Sequence, residues 1–195
     1  MTKQDILEAT LDLACQHGLG RVSMQMIADK VNLKKSSLYS HFKSKDEIIE
    51  SMYTYFREQA KTETSRSQID LGKFVEGKSL ENILTDVVAS YRNMNASTIL
   101  FKFYQMIMAE RSVNPMAAQV MVEETEKMLG ATKMLFYAIS AKGITRFDDP
   151  DGAALVFTMG VHSIMDFEFD AKSAGLKSAD GTMKAYIKEF CRTYS

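Results

Sequence analysis

The sequence predicts an all-α protein, with a three-helix head over residues 1–45 and a larger helical bundle over residues 46–195. Three observations carry that prediction. Apolar residues recur at helical spacing along almost the whole chain, with little β-branched alternation. The chain has only two prolines, and both stand where a helix can start. The stretch Ser23 to Lys45 reads as two short helices joined by a tight turn, and the rest of the head is arranged around it.

The first helix opens at Thr2-x-x-Asp5, a capping-box-like start. Ile6, Ala9 and Leu13 with Leu7, Leu11 and Ala14 give it a broad apolar face, and Gly18 and Gly20 end it. Ser23 can cap the second helix with its hydroxyl. Met24, Ile27, Ala28 and Val31 follow on one face of that helix. Asn32 tolerates the left-handed backbone that a tight turn needs, and Leu33 is its expected plug. A third helix from Lys34 to Phe42 puts Leu38 and Phe42 on one side, with Ser36 and Ser40 nearly opposite. Between Lys30 and Lys45 there are five lysines and no Asp or Glu. An apolar side can therefore dock on the second helix, while a hydroxyl-rich, positively framed side stays free. A helix of that width fits the major groove of B-DNA, where lysines neutralise phosphates and hydroxyls meet base edges. This is the physics of a helix-turn-helix.

The string Leu38-Tyr39-Ser40-His41-Phe42-Lys43-Ser44-Lys45-Asp46-Glu47, preceded by Ile27-Ala28 and Asn32-Leu33, resembles the DNA-binding domain of the tetracycline-repressor (TetR) family of bacterial regulators. Ile6-Leu7-Glu8-Ala9 through Gly18 resembles that family's first helix. Two positions depart from the common pattern: Lys34 stands where a capping Ser or Thr is frequent, and Gln25 where a phosphate-binding Arg is frequent. Ser23, Gln25, Lys34, Lys35, Ser36, Ser37, Tyr39, His41 and Lys45 are the candidate DNA contacts. With no Arg, Asn or Gln in the recognition helix, bidentate base reading is limited, and specificity leans on apolar contacts, DNA shape, or Gln25 and Lys35.

Beyond the head, Ser44-Lys45-Asp46-Glu47 restarts a helix with acids in its first turn, running through Ile48, Met52, Tyr55 and Phe56 to about Arg66. Residues 67–78 read as a loop. Leu80, Ile83, Leu84, Val87, Val88 and Tyr91 form the next stripe, up to a break at Asn93-Met94-Asn95. Ile99 to Met108 is apolar enough to predict a helix buried all round, with a strand as the minor alternative. Pro115 starts a long helix to about Lys142, closed by Gly143. Pro150 starts another, carrying Phe157, Val161, Ile164 and Met165. After a break from Ser173 to Gly181, Thr182 to Tyr194 forms the last helix. The resemblance implies that the last two helices pair with a second copy as a homodimer, whose two-fold axis would place two heads on a palindromic operator.

Fourteen methionines and a rich set of aromatics could line a pocket, although core packing is the better reading for any one of them. Flexible methionines suit a cavity that admits an apolar ligand, and the family resemblance implies a small effector among these helices. Tyr91, Phe101, Tyr104, Met108, Met128, Phe136, His162 and Met165 are the candidate contacts.

Other functions find little support. The net charge of −1 excludes a chain basic throughout, and no apolar run approaches the ~20 residues of a membrane span. Cys15 and Cys191 have no metal-like spacing and are expected as two buried free thiols, which suits the cytoplasm. His162, Asp166 and Asp170 share a helix face but read as a solvated or dimer-facing stripe rather than a metal site. No phosphate loop, nucleophile elbow or cofactor motif is present, so the expectation is a non-enzymatic transcriptional regulator, most simply a repressor. The alternative is a ligand-binding or catalytic helical bundle with a structural helix-turn-helix.

Overall fold

The computed structural model describes residues 2–66, 69–93, 99–177, 179 and 181–194. Among these, all regular structure is helical. The chain divides into two compact units, Met1–Gln68 with Asn95–Val122, and Ile69–Met94 with Glu123–Ser195.

In the first unit, α1 (Lys3–His17) begins at the expected capping box. Thr2 Oγ1 accepts from Asp5 N at 3.2 Å, and Thr2 N donates to Asp5 Oδ2 at 2.6 Å. Gly18 ends α1 at φ 80°, a left-handed value that glycine adopts without a Cβ clash. A 3-10 turn (Leu19–Arg21) leads to α2 (Met24–Lys30), which Ser23 caps by accepting from Met26 N. Asn32 turns the chain at φ 54°, the one positive value at a non-glycine residue among those described. Leu33 N then closes the turn on Ala28 O at 2.9 Å. The recognition helix α3 (Lys35–His41) is slightly shorter than expected, with Lys34 as its cap residue. Leu38 and Phe42 bury its inner side.

α4 (Lys45–Arg66) contributes Ile48, Met52, Tyr53 and Phe56 to the same core, which Phe103, Met106 and Ile107 of α7 (Ile99–Glu110) complete. The prediction that α7 is buried all round is corrected. Those three side chains are buried, Lys102 and Ala109 are exposed, and Phe101, Tyr104 and Met108 are half-buried on the opposite side. Mean apolarity hid this division, because here the outer face is also largely apolar.

The second unit begins with a further correction. The stretch read as a loop contains a short helix, α5 (Leu71–Val75), capped by Asp70 accepting from Lys73 N. α6 (Leu80–Asn93) follows; Met94 and Asn95 of the expected break lie outside the described residues. α8 (Pro115–Ala141) runs through both units. α9 (Pro150–Ser173) starts with proline in its first turn, and Asp149 accepts from Gly152 N at 2.9 Å. α10 (Thr182–Tyr194) has the predicted bounds.

An aromatic cluster of Phe136, Phe147, Phe157, Phe190, Tyr186 and Tyr194 fills this core, with Phe136 stacked on Phe147 at 4.5 Å. Tyr186 lies against Gly160, where a Cβ would overlap its ring, and donates to Val156 O at 2.7 Å. The glycine lets α10 approach the backbone of α9 closely. Neither thiol is buried as expected: Cys15 is exposed and Cys191 half-buried. No described helix is long and apolar enough to cross a membrane.

Candidate nucleic-acid interface

The turn at Asn32 and the plug of Leu38 and Phe42 fix which side of α3 faces outward. Lys34, Lys35, Ser36, Tyr39, Ser40 and Lys43 are exposed, while Ser37 and His41 are half-buried at the edges. Ser40 Oγ donates back to Ser37 O at 2.6 Å, so its lone pairs remain available to an incoming donor. Ser40 and Lys43 were not among the predicted contacts; the face assignment alone would have included Ser40, and Lys43 lies just past the cap residue Phe42. Lys3 Nζ sits 5.2 Å from the Phe42 ring centroid and adds a cation beside the inner edge.

Three predicted contacts already have structural roles. Ser23 caps α2. Gln25 is exposed, and its Nε2 donates to Asp29 Oδ1 at 2.7 Å, which orients the carboxamide and leaves its oxygen and second N–H free. Lys45 Nζ donates to Gly20 O at 3.1 Å, tying the start of α4 to the turn between α1 and α2.

α7 joins the head on its other side. Lys102 Nζ pairs with Asp12 Oδ1 at 2.7 Å, Cys15 Sγ donates to Lys102 O at 3.3 Å, and Glu110 Oε1 accepts from Leu19 N at 3.0 Å. The Asp12 carboxylate pushes the Lys102 ammonium pKa up, and burial pushes the Cys15 thiol up. Tyr53 of α4 donates to Met106 Sδ at 3.7 Å and accepts from Asn114 Nδ2 at 3.5 Å. Burial raises its hydroxyl to about 12.

The predicted effector contacts are spread over both units. Phe101, Tyr104 and Met108 form one row of half-buried side chains on α7 in the first unit. In the second unit Tyr91, Met128, His162 and Met165 are half-buried, and Phe136 lies wholly inside the aromatic core. Burial raises the Tyr91 hydroxyl, which shares a hydrogen bond with Thr132. The second unit also has an open cleft of about 1020 Å³ between the start of α6, the segment from Gly143 to Asp149 and the end of α10. Leu80, Ile144, Arg146, Asp148, Val156 and Tyr194 line it, and no predicted effector residue does. No His/Cys/Asp/Glu grouping among the described residues could hold a metal ion.

Residues 6–57 match the family model described as bacterial regulatory proteins, tetR family. The head over these residues belongs to the tetR family. The match ends within α4, and solved structures carry the likeness over the rest. Salmonella enterica GusR is similar over 97% of this chain and 95% of its own, at 22% identity and a TM-score of 0.61. A TetR transcription regulator from Haloarcula marismortui covers 98% and 97%, at 13% identity and a TM-score of 0.66. A protein of Saccharomonospora viridis, described as a transcriptional regulator in complex with choline, covers 97% and 95%, at 16% identity and 0.66. At these identities the likeness is one of fold. No curated protein matches the chain. With its tetR-family head, the chain is a DNA-binding transcriptional regulator.

Proposed function

We propose that this tetR-family chain is a homodimeric repressor that binds a palindromic operator and is released by a small organic effector. The observation that carries the reading is α3, an outward face of Lys35, Ser36, Tyr39 and Ser40 on a helix fixed from below by Leu38 and Phe42. Lysines contribute phosphate neutralisation; Tyr39, Ser36 and the free edge of Gln25 are the groups that would meet bases. Such a surface holds few bidentate readers, so one head alone would discriminate weakly. Two heads on a two-fold axis read half-sites ~34–36 Å apart.

A second copy has a surface to occupy. α9 exposes Leu155, Val156, Met159 and Phe167 on one side, and α8 exposes Met134 and Tyr137. The outer side of α10 carries Lys184, Lys188, Glu189 and Arg192 instead. The interface is therefore proposed on α8 and α9, with α10 at its polar rim, rather than on the last two helices equally. His162, Asp166 and Asp170 border that apolar row. The choline complex of the Saccharomonospora viridis protein supports a small organic effector. Such an effector must prefer one head arrangement, and ~5.5 kcal/mol of preference turns a 1:99 balance into 99:1.

The test is selection of bound duplexes from a random pool at two salt concentrations. A recovered palindrome, with affinity falling steeply as salt rises, supports the reading. If no sequence is enriched, the chain is better read as a ligand-binding bundle with a structural head.

A further inference from the structure

The turn between α1 and α2 sets how the second and third helices sit on the first. Its backbone is held by two side chains from later helices. Lys45 of α4 takes the Gly20 carbonyl, and Glu110 of α7 takes the Leu19 N–H. Leu19 is buried, Gly18 N already donates to Ala14 O, and the Leu19 N–H finds its acceptor 91 residues further along the chain. Glu110 is also misplaced by the rules of its own helix. It is the last residue of α7, where the helix dipole disfavours an anion. Its carboxylate faces a donor on the head instead.

We infer that Glu110 is a positioning residue for DNA binding, which fixes the recognition helix by capping the Leu19 N–H although it lies far outside the matched DNA-binding segment. The inference rests on the proposed operator binding. Without the acceptor, a partly buried N–H is left unsatisfied, and the turn relieves this by moving toward water. That shift changes the pose of α2 and α3 on α1 but removes no phosphate-binding lysine. The loss should therefore appear in affinity and leave the salt dependence alone, because the slope counts phosphate contacts.

The experiment measures binding of the full chain to its selected duplex, at several salt concentrations, for Glu110→Ala, Glu110→Gln and Glu110→Asp. The folded fraction is matched by circular dichroism, and Leu19 amide exchange is followed by NMR. Removing the acceptor is expected to weaken binding about tenfold. Gln keeps length and acceptor and should stay within about twofold of the unsubstituted chain; Asp is one methylene short and should follow Ala. All three should keep the salt slope, and Leu19 exchange should accelerate only in Ala and Asp. If Ala does not fold, the contrast between Gln and Asp decides. Equal binding by Asp and the unsubstituted chain, equal loss in Gln and Asp, or a reduced salt slope would each overturn the inference. An unsubstituted chain that enriches no duplex refutes the operator reading itself, and this inference with it.

Discussion

Replacing Gly160 with alanine places a methyl group 2.8 Å from Tyr186 Cε2 and closer still to Cζ and Oη, inside any tolerable contact. The ring must move, because the α9 backbone on the other side is rigid. Overpacking of this kind costs about 1–3 kcal/mol. The displaced hydroxyl also gives up Val156 O, and leaving a half-buried hydroxyl without its partner adds about 1 kcal/mol, the low end of the usual range. Against this, alanine is better than glycine inside a helix by about 1 kcal/mol. The net expectation is a loss of about 1–3 kcal/mol, read as a lower urea midpoint at unchanged slope. The same change in a Tyr186→Ala background should be neutral or stabilising, since the ring is gone and only helix propensity remains. A Gly160→Ala chain as stable as the parent, or additive behaviour in the double variant, would refute the argument that Tyr186 requires the glycine.

Four further outcomes follow from the geometry. Asn32→Val should cost about 1–2 kcal/mol, because a β-branched residue resists the left-handed backbone, while Asn32→Gly should be close to neutral in the same thermal melt. Ser23→Ala removes the acceptor for Met26 N and should lower stability by about 1 kcal/mol. Lys35→Ala should weaken binding to all duplexes alike and reduce the salt slope by about one, whereas Tyr39→Ala should change which duplexes are preferred; the reverse pattern would exchange their roles. Tyr53 and Tyr186 are held neutral in the folded chain up to about 12 by burial, while an unfolded tyrosine ionises near about 10. Across that window the unfolded chain has lost protons that the folded chain keeps, so stability should fall as pH rises from about 10 to about 12 and be insensitive to these groups below it. Urea midpoints along this range, with Tyr186→Phe flattening part of the fall, check the sign.

The head was legible because its instructions are local. Thr2 with Asp5, Ser23 and Asn32 each act within a few residues of themselves, and each takes the geometry its chemistry implies. The starts of α8 and α9 were legible for the same reason, through Pro115, Pro150 and Asp149. α5 was missed because five residues, with Gly72 among them, give too short a period to count, although Asp70 marks its cap. α7 was misjudged because two apolar faces cannot be told apart by composition. Cys15 lies on the same helix as the buried Leu11 and Ala14 but one step round it, and its partner, the Lys102 carbonyl, is invisible in sequence. The same holds for Glu110 with Leu19 and for Tyr186 with Gly160, contacts that exist only once distant helices have packed. The effector contacts were chosen by residue type, and type does not separate a pocket wall from a core side chain such as Phe136.

The two cysteines that form no disulfide also make a measuring device. One lies on α1 in the first unit and the other on α10 in the second, and the sequence has no third. A donor and an acceptor dye attached to Cys15 and Cys191 would follow the separation of the two units in the native chain as candidate effectors are titrated, with no engineered attachment point. Burial, with Asp12 beside one thiol and Glu81 beside the other, raises both above the ordinary thiol value, so labelling should go fastest in mildly alkaline buffer. The more exposed Cys15 should react first, which allows the two dyes to be placed in order.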